Sequence, residues 1–297
     1  MAQPLVSVVM LSWNRKDDVI VSLTHLFESN YPLMEVIVVD NHSTDGTVDM
    51  VREKFPSVIV IPLPENIGIA GWNKGFEIAR GEFILVLDDD SYPGKESLAT
   101  AVDRMKNEPR CGVLALQVYN IRRRSVQTSS LVAGENTTFV GCGAVLRKEV
   151  LRIAGMFEPL LFLYMHEEEF AMRVINAGYT VLYEPAAIVQ HISSPSHRSV
   201  GAASSIDVRR QYYLIRNILV ILSLHFSVRH LMLRIPRIVI GRILFGLKSG
   251  CLLPILKGIW SFVRDAKAVG SRRSVLSDRT QALYHFGSFA GGFFFSD

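Results

Sequence analysis

The first half of the chain alternates short apolar runs with segments of helical periodicity. Buried strands are short and continuous, whereas amphipathic helices repeat every three to four residues, so the two patterns predict different elements. The predicted strands are Val6–Leu11, Val36–Asp40, Val58–Ile61 and Phe83–Leu87, and the predicted helices are Asp17–Glu28, Thr44–Lys54, Ala70–Ala79 and Lys95–Lys106. This order predicts an α/β fold with a mostly parallel sheet, flanking helices and ligands at the carboxyl ends of the strands.

Three consecutive carboxylates follow the fourth predicted strand. Phe83–Leu87 runs directly into Asp88, Asp89 and Asp90. Three acids at the end of a buried strand repel one another unless a cation or protons neutralise them. The segment therefore fits a divalent metal site that holds a phosphate ligand. It also fits a solvated acidic turn that only ends the strand.

Polar residues also follow the other predicted strands. They are Ser12, Asn14 and Arg15 after the first strand, Asp40 at the end of the second, and Asn66 and Gly68 after the third. Strand ends of a parallel sheet share one edge, so these residues can bind a nucleotide between them. An acid such as Asp40 can accept hydrogen bonds from a base or a ribose.

A glycine-bearing segment, Gly71-Trp72-Asn73-Lys74-Gly75, enters the third predicted helix. It can cradle phosphates, with Asn73 contacting the ligand, or it can be a tight turn with close packing. The first strand is not followed by GxGxxG, and the chain has no GxxxxGK[ST]. These absences disfavour a nicotinamide-binding domain and exclude a P-loop.

A second acidic cluster, His166-Glu167-Glu168-Glu169, opens a segment of helical periodicity. At 100° per residue, Glu167 falls at the centre of the apolar stripe and Glu168 at its edge. We therefore predict that Glu167 is a general base whose pKa is raised by burial. Glu169 falls opposite, four residues before Arg173, the spacing of a surface ion pair. The alternative is that the acids only face the helix dipole.

His191 and the cysteines bear on metal binding. His191 follows the strand-like run Ala186–Gln190. Imidazole with carboxylates suits a manganese- or magnesium-like site, although a lone histidine can be structural. Cys111, Cys142 and Cys251 are odd in number, far apart and without ligand spacing. They predict buried thiols of a reducing cytoplasm and no zinc site.

The charge of the chain is divided unevenly. Residues 1–207 carry 18 Lys and Arg against 25 Asp and Glu, a net charge of −7, whereas residues 208–297 carry 14 against 3, or +11. We therefore predict two regions with this boundary. In the second, basic residues are spaced among apolar ones, which predicts amphipathic helices on anionic lipid, with a plain helical packing appendage as the alternative.

Several localisation signals are absent from the sequence. The helical part of residues 208–297 has no uncharged stretch near the roughly 20 residues of a membrane span. The chain opens without the basic and apolar segments of a signal peptide, so we expect no export. The basic region carries no nucleic-acid recognition motif, so we expect no nucleic-acid partner.

Taken in order, these segments resemble the inverting glycosyltransferases of family 2, which have the GT-A fold, a Rossmann-like α/β sheet. The resemblance covers approximately Val6 to Asn217. Within the family, the chain resembles bacterial rhamnosyltransferase-like glycosyltransferases and those of cell-surface glycans. Its motifs are Val6–Arg15, Val38–Thr47, Glu65–Gly68, Ala79–Glu82, the Asp-x-Asp of Asp88 and Asp90, the acidic helix with Arg173 and Ala177–Tyr179, His191, and Tyr212–Asn217.

The resemblance implies roles for the strand-end acids. Asp40 would contact the nucleotide base, Asp88 the ribose or the metal, and Asp90 the metal that bridges the diphosphate. His191 would complete this Mn²⁺ or Mg²⁺ site. Asp89 is the spacer between the two metal-site acids and joins the other strand-end residues as part of the nucleotide-sugar pocket.

The resemblance also bears on the base and on Trp72. Such enzymes usually have Glu-Asp-x-Asp at the start of the acidic helix, whereas this chain has His166-Glu167-Glu168-Glu169. Counting back from Arg173, Glu167 occupies the position of the family's catalytic Asp. Trp72 stands where a small residue is common, so it reshapes or fills the diphosphate pocket.

The implied reaction is metal-dependent transfer of a sugar, with inversion, from a nucleotide-diphosphate sugar to a hydroxyl. The donor would be a UDP- or dTDP-sugar, and the acceptor a glycan or a polyprenyl-linked molecule. The expected location is cytoplasmic, peripheral at the inner face of the cell membrane, and a homo-oligomer is compatible with the sequence. The alternatives are a sugar nucleotidyltransferase, which attacks phosphorus, and a non-catalytic module that keeps the nucleotide pocket.

Overall fold

The computed structural model describes residues 3–193 and 208–284. The chain divides into two compact units. The first comprises Met1–Pro159 and Phe170–Pro195, and the second comprises Leu160–Glu169 and Ser196–Asp297. The predicted boundary at residue 207 lies outside the described residues. Among the described residues, the observed division assigns one segment differently from the prediction: the acidic segment 160–169 groups with the C-terminal helices.

The first unit contains a ten-stranded mixed sheet with flanking helices. Its strands are β1 Val6–Ser12, β2 Met34–Asp40, β3 Ile59–Pro62, β4 Phe83–Asp88, β5 Ser91–Pro93, β6 Cys111–Asn120, β7 Ser125–Val126, β8 Gly134–Asn136, β9 Ala144–Arg147 and β10 Thr180–His191. Its helices are α1 Lys16–Leu26, α2 Thr47–Lys54, α3 Gly71–Ile78, α4 Ser97–Asn107 and α5 Lys148–Ala154. The helix α6, His166–Asn176, begins in the second unit and continues into the first. The predicted α/β fold is confirmed.

The order of the strands positions the functional edge. The sheet runs β3-β2-β1-β4-β9-β6-β10-β5, with β3, β2, β1 and β4 mutually parallel and β9 antiparallel between β4 and β6. Ser12 pairs with Asp40, and Leu11 pairs with Asp88. The carboxyl ends of β1, β2 and β4 therefore lie at one edge of the sheet, as the order of the elements predicts.

Glycines in α3 allow this helix to approach the sheet closely. A Cβ atom at Gly75 would overlap the side chain of Val9 in β1, and one at Gly71 would overlap Leu11. A side chain at Gly75 would clash with the β-branched Val9, and one at Gly71 would require the Leu11 side chain to move. Close packing therefore explains the glycines of this segment.

The second unit contains the C-terminal helices. They are α7 Val208–His225, α8 Val228–Ser249, α9 Leu252–Arg264, α10 Ala266–Ser271 and α11 Asp278–Leu283. The helix α7 is buried from Leu214 to Leu222, whereas α8 and α9 are exposed along one side. Within the described ranges, every helix is too short or too polar to cross a membrane.

Candidate active site

Two buried polar atoms at the ends of β1 and β2 indicate a candidate binding site. Asp40 is 1% exposed, and its Oδ2 accepts a hydrogen bond from the backbone N–H of Ser43 at 2.8 Å. Among the described residues, neither Asp40 Oδ1 nor Ser12 Oγ has a hydrogen-bond partner. A buried polar atom left unpaired costs roughly 1–3 kcal/mol, so both atoms are expected to meet groups of a ligand.

Asparagine side chains connect the loops around this site. Asn14 Oδ1 accepts from the backbone N–H of Thr44 at 2.7 Å, which joins the loop after β1 to the loop after β2. Asn41 Nδ2 donates to the carbonyl of Gly68 at 3.0 Å, and Asn66 Oδ1 accepts from the N–H of Gly68 at 2.9 Å. Asn14, Asn66 and Gly68 thus shape the edge of the site, and their predicted ligand contacts stay predictions.

Asn73 and Trp72 pack into the first unit. Asn73 exchanges two hydrogen bonds with the backbone of Phe157, at 2.8 and 3.0 Å, and these use both ends of its amide. Trp72 is 4% exposed and donates from Nε1 to the carbonyl of Leu87 at 3.2 Å. Both side chains therefore have structural roles, and contact of Asn73 with a nucleotide sugar stays a prediction.

Arg15 and His191 neutralise the acids after β4. Arg15 forms an ion pair with Asp90 and lies 3.6 Å from Asp89. His191 Nε2 lies 3.2 Å from Asp90 Oδ1. Burial acts to raise the pKa of Asp90, but His191 and Arg15 outweigh it and hold this pKa below its usual range. Burial and the charge of Asp90 raise the pKa of Asp89 well above its usual range. The acidic turn is thus buried, and a solvated turn does not describe it.

Three ligand atoms converge beside this cluster. Asp88, Cys142 and His191 each place one possible metal ligand within 4.8 Å of the other two. A carboxylate, an imidazole and a thiol can together hold a divalent cation. The predicted set was Asp88, Asp90 and His191. The structure groups Asp88 with His191, whereas the Asp90 carboxylate contacts Arg15 and His191, and it adds Cys142 to the group.

The ring of His191 is oriented by two further side chains. Its Nδ1 lies 2.8 Å from Gln127 Oε1 and 3.1 Å from Ser193 Oγ. Because an amide oxygen only accepts hydrogen bonds, Nδ1 carries a hydrogen, and Nε2 faces the acids. Histidines that bind metals are oriented in this way.

In the second unit, α6 begins with the acidic cluster. The Glu167 side chain is 20% exposed, and its Oε2 lies 3.0 Å from His166 Nδ1. Burial, followed by the charge of Glu167, raises the pKa of Glu168 to about 7. Glu169 is fully buried, and its Oε1 lies 2.8 Å from His225 Nε2 in α7. The prediction that Glu169 lies on the surface is wrong, because α7 covers the side of the helix that periodicity marks as polar.

The helix α7 also holds the loop before the acidic cluster. Arg216 donates to the carbonyl of Leu160 at 2.7 Å, and Asn217 Nδ2 donates to the carbonyls of Leu163 and Tyr164 at 2.7 and 3.0 Å. Tyr164 and Met165 have φ values of 69° and 64°. Positive φ at two side-chain-bearing residues is strained, and it persists where surrounding contacts impose it. The helix α7 thus fixes the start of α6.

Comparisons with known proteins agree with this geometry. A sequence profile described as "Glycosyl transferase family 2" matches residues 7–153, which contain β1 to β4 and their polar ends. The chain belongs to glycosyl transferase family 2.

Curated relatives of this family 2 chain match it over part of their length. The putative teichuronic acid biosynthesis glycosyltransferase TuaG of Bacillus subtilis is 36% identical over 107 residues, or 35% of this chain and 42% of TuaG. The probable glycosyltransferase YdaM of the same organism is 25% identical over 211 residues, 62% of this chain and 50% of YdaM. The chain therefore matches half or less of the length of these relatives.

Solved structures share the GT-A fold of this family 2 chain. Staphylococcus aureus TarS 1–349 in complex with UDP-GlcNAc has a TM-score of 0.62 and 22% identity, covering 94% of this chain and 83% of TarS 1–349. The mannosyltransferase PcManGT of Pyrobaculum calidifontis, in complex with GDP-Man and Mn²⁺, has a TM-score of 0.58 and 19% identity, covering 95% and 79%. At these identities the likeness shows the fold alone.

Three residues of the family 2 chain make site contacts that the sequence analysis did not predict, and one of them, Cys142, was interpreted only as a buried thiol. Cys142 joins the metal-ligand group, Asn41 connects two strand-end loops, and His225 pairs with Glu169. The polar end of β2 could have indicated Asn41, since this residue directly follows Asp40. Neither Cys142 nor His225 belongs to a spacing pattern, because each reaches its partners through the tertiary fold.

The raised pKa of Glu168 predicts a pH dependence of the stability of this family 2 chain. The folded protein binds this proton more tightly than the unfolded chain, in which the pKa is near 4.3. The contribution to folding is therefore complete below about pH 4 and is lost as the pH rises through about 7. Glu168→Gln should flatten this part of the stability profile, measured as urea unfolding of both proteins from pH 4 to pH 8. Parallel profiles would contradict the assignment.

Proposed function

We propose that this chain is a metal-dependent, inverting glycosyltransferase that moves a hexosyl or deoxyhexosyl group from a nucleotide-diphosphate sugar to a hydroxyl. The observation that carries the proposal is the shared sheet edge. Asp40 Oδ1 and Ser12 Oγ are buried there without partners among the described residues, and Asp88 belongs to a group of three ligand atoms. This edge of the sheet thus offers polar atoms that can bind a nucleoside and ligand atoms that can hold the cation accompanying a diphosphate.

Each part of the proposed site has one task. Asp40 accepts hydrogen bonds from the base, and Asp88 and His191 would hold the cation. A divalent cation, Mn²⁺ or Mg²⁺, would supply the charge that neutralises the departing diphosphate. Glu167 removes the proton from the acceptor hydroxyl, whose oxygen attacks the anomeric carbon opposite the diphosphate. Attack from that side inverts the anomeric centre.

The substrates are proposed from the relatives. We propose a UDP- or dTDP-sugar as the donor, and the UDP-GlcNAc in the TarS structure supports the uridine nucleotide. We propose a glycan or a polyprenyl-linked acceptor. The name of TuaG refers to teichuronic acid biosynthesis, and an Escherichia coli relative that is 30% identical over 106 residues is named for an α-D-GlcNAc-diphosphoundecaprenol acceptor. We propose a cytoplasmic role in the synthesis of cell-surface glycans.

We also propose that α8 and α9 bind the inner face of the cell membrane. Their exposed surfaces carry many apolar side chains among basic ones: Met232 is 73% exposed, Trp260 is 64% exposed, and the other apolar members are Val228, Leu233, Ile240, Leu244, Phe245, Leu247, Leu253, Leu256 and Val263. Residues 208–264 include 10 Lys and Arg and no Asp or Glu. Because this surface is positively charged, it would repel the same surface of a second copy of the chain, whereas it would attract anionic lipid.

Product analysis tests the proposed reaction. The chain is incubated with Mn²⁺, an acceptor extract and each sugar of a UDP- and dTDP-sugar panel. We expect release of a nucleoside diphosphate and a product whose anomeric configuration, read by NMR, is opposite to that of the donor. Release of pyrophosphate would instead indicate a sugar nucleotidyltransferase. Saturable nucleotide binding without any turnover would indicate a binding module.

Replacing Asp88 should weaken metal-dependent nucleotide binding. Asp88→Asn removes one charged ligand from the group with Cys142 and His191. We expect the affinity for a nucleoside diphosphate with Mn²⁺ to fall by about tenfold or more, while the affinity without metal changes little. Calorimetry measures both, and Asp17→Asn, the same change at an exposed position in α1, is the control. Equal affinities with and without metal in the wild type would count against the site.

Replacing two side chains should release the chain from membranes. We expect wild-type protein to sediment with vesicles that contain anionic lipid, less so at high salt, and not with zwitterionic vesicles. Met232→Ser combined with Trp260→Ala should lower the bound fraction at least about tenfold, since both side chains lose apolar contact with lipid. Val132→Ser, at a site in the first unit that is 70% exposed, is the matched control. A folded wild-type chain that stays in the supernatant would disprove the proposal.

A further inference from the structure

The register of the sheet brings Cys142 to the metal-ligand group. In the antiparallel pair of β4 and β9, Val86 pairs with Ala144 and Leu85 pairs with Val145. Cys142 lies two residues before Ala144, in the turn that leads into β9. Since Asp88 lies two residues after Val86, the Val86–Ala144 pair brings this turn close to the end of β4. The strand pairing thus agrees with the proximity of the Asp88 and Cys142 ligand atoms.

A glycine lets the last strand reach the same place. A Cβ atom at Gly143 would lie 2.9 Å from Val118 Cγ2 in β6 and 3.3 Å from the Val189 side chain in β10. The strand β10 ends two residues later at His191. Because Gly143 has no side chain, the segment that carries Cys142 lies directly against the strand that carries His191.

Cys142 differs from the other buried cysteine of the first unit. Burial raises the pKa of the Cys111 thiol to about 12, and its Sγ contacts the carbonyl of Val113. Cys142 is buried, 4% exposed, and lies beside a carboxylate and an imidazole. Cys111 therefore has only a packing role, whereas Cys142 is positioned for ligation.

We propose that the Cys142 sulfur is a third protein ligand of the cation site and makes the site prefer Mn²⁺ and softer divalent ions over Mg²⁺. The inference rests on the proposed metal-dependent function and deepens it by naming the metal class. Magnesium prefers oxygen ligands in octahedral geometry, whereas thiolates select softer transition metals. Binding converts the thiol to a thiolate, so one proton is released to the solvent for each ion bound.

Cobalt absorption tests the ligation directly. Co²⁺ is titrated into the chain in the absence of nucleotide, and the near-ultraviolet absorption that a sulfur–cobalt bond produces is recorded. We expect this band in the wild type and in the control variant Cys251→Ser, which removes a buried cysteine of the second unit. We expect its loss in Cys142→Ser. The variant Cys142→Ala and circular dichroism of all proteins show whether a loss of the band reflects unfolding.

Calorimetry tests the metal preference. We expect the ratio of Mn²⁺ to Mg²⁺ affinity to fall by about tenfold or more in Cys142→Ser. Removing a group that only hydrogen-bonds to a metal ligand already lowers metal affinity by about tenfold or more, and removing the ligand itself should cost at least as much. A sulfur band that persists in folded Cys142→Ser, or a wild type that binds Co²⁺ without the band, would overturn the inference. Transfer activity of the wild type with Mn²⁺ would then still support the proposed function, so the two failures are distinguishable.

Discussion

Replacing Glu167 with Gln is expected to lower the rate of sugar transfer by about 10²- to 10⁴-fold, the usual contribution of a general base. Gln keeps the size of the side chain and one hydrogen-bond acceptor but cannot take a proton from the acceptor hydroxyl. The nucleotide site loses no residue, so the affinity for the nucleoside diphosphate should be unchanged. Initial rates of nucleoside diphosphate release and calorimetric titrations measure the two quantities.

The neighbouring acid provides the matched control for this experiment. Glu168→Gln makes the same chemical change one residue away. Because the pKa of Glu168 is raised to about 7, a large share of this carboxyl is already neutral near pH 7, and Gln imitates that form. Most of the activity should remain. The opposite result, loss of turnover only in Glu168→Gln, would assign the base to Glu168, and unchanged turnover in both would remove the acidic cluster from catalysis.

Replacing Arg216 with Ala is expected to lower the free energy of unfolding by roughly 3 kcal/mol, because buried charged hydrogen bonds are lost. The Arg216 side chain is 9% exposed and donates to Asp265 Oδ2 at 2.8 Å and to the carbonyl of Leu160 at 2.7 Å. Truncation leaves that carbonyl without its donor and frees the segment before α6. Turnover should therefore also fall. Urea unfolding and initial rates measure the two effects.

Arg264 offers a matched control for Arg216. It pairs with the same carboxylate, Asp265 Oδ1, at 3.0 Å, but its side chain is 60% exposed. Solvent already screens this pair, so Arg264→Ala should change neither stability nor turnover measurably. Equal losses in both variants would show that the charge of Asp265, and not the burial of Arg216, decides the effect.

The sequence predicted the part of the fold that is encoded locally. Continuous apolar runs with polar ends identified β1, β2 and β4, and hence the edge that carries Asp40 and Asp88. Contacts that depend on strand order were not predictable. The strand β9 inserts antiparallel beside β4, and this insertion brings the turn that carries Cys142 to the end of β4, near Asp88. A list of cysteine spacings cannot contain that information.

Helical periodicity failed for Glu169 for a related reason. The rule assumes that the side of a helix opposite the apolar stripe faces water. In this protein the first turn of α6 has a second neighbour, α7, and His225 satisfies the buried Glu169 carboxylate. Periodicity places a residue on a face of a helix, but it does not show which element covers that face. The acids of the cluster consequently have different environments despite being adjacent.

Residues 160–169 have a consequence for the construction of chimeras. They precede the predicted tail by about 40 positions, but they belong to the same compact unit as α7 to α11. A graft that exchanges only the C-terminal helices between two family members would separate Leu160, Leu163 and Glu169 from Arg216, Asn217 and His225. A working exchange would transplant two discontinuous pieces of sequence together, so the acidic cluster is inherited with the tail and not with the nucleotide half.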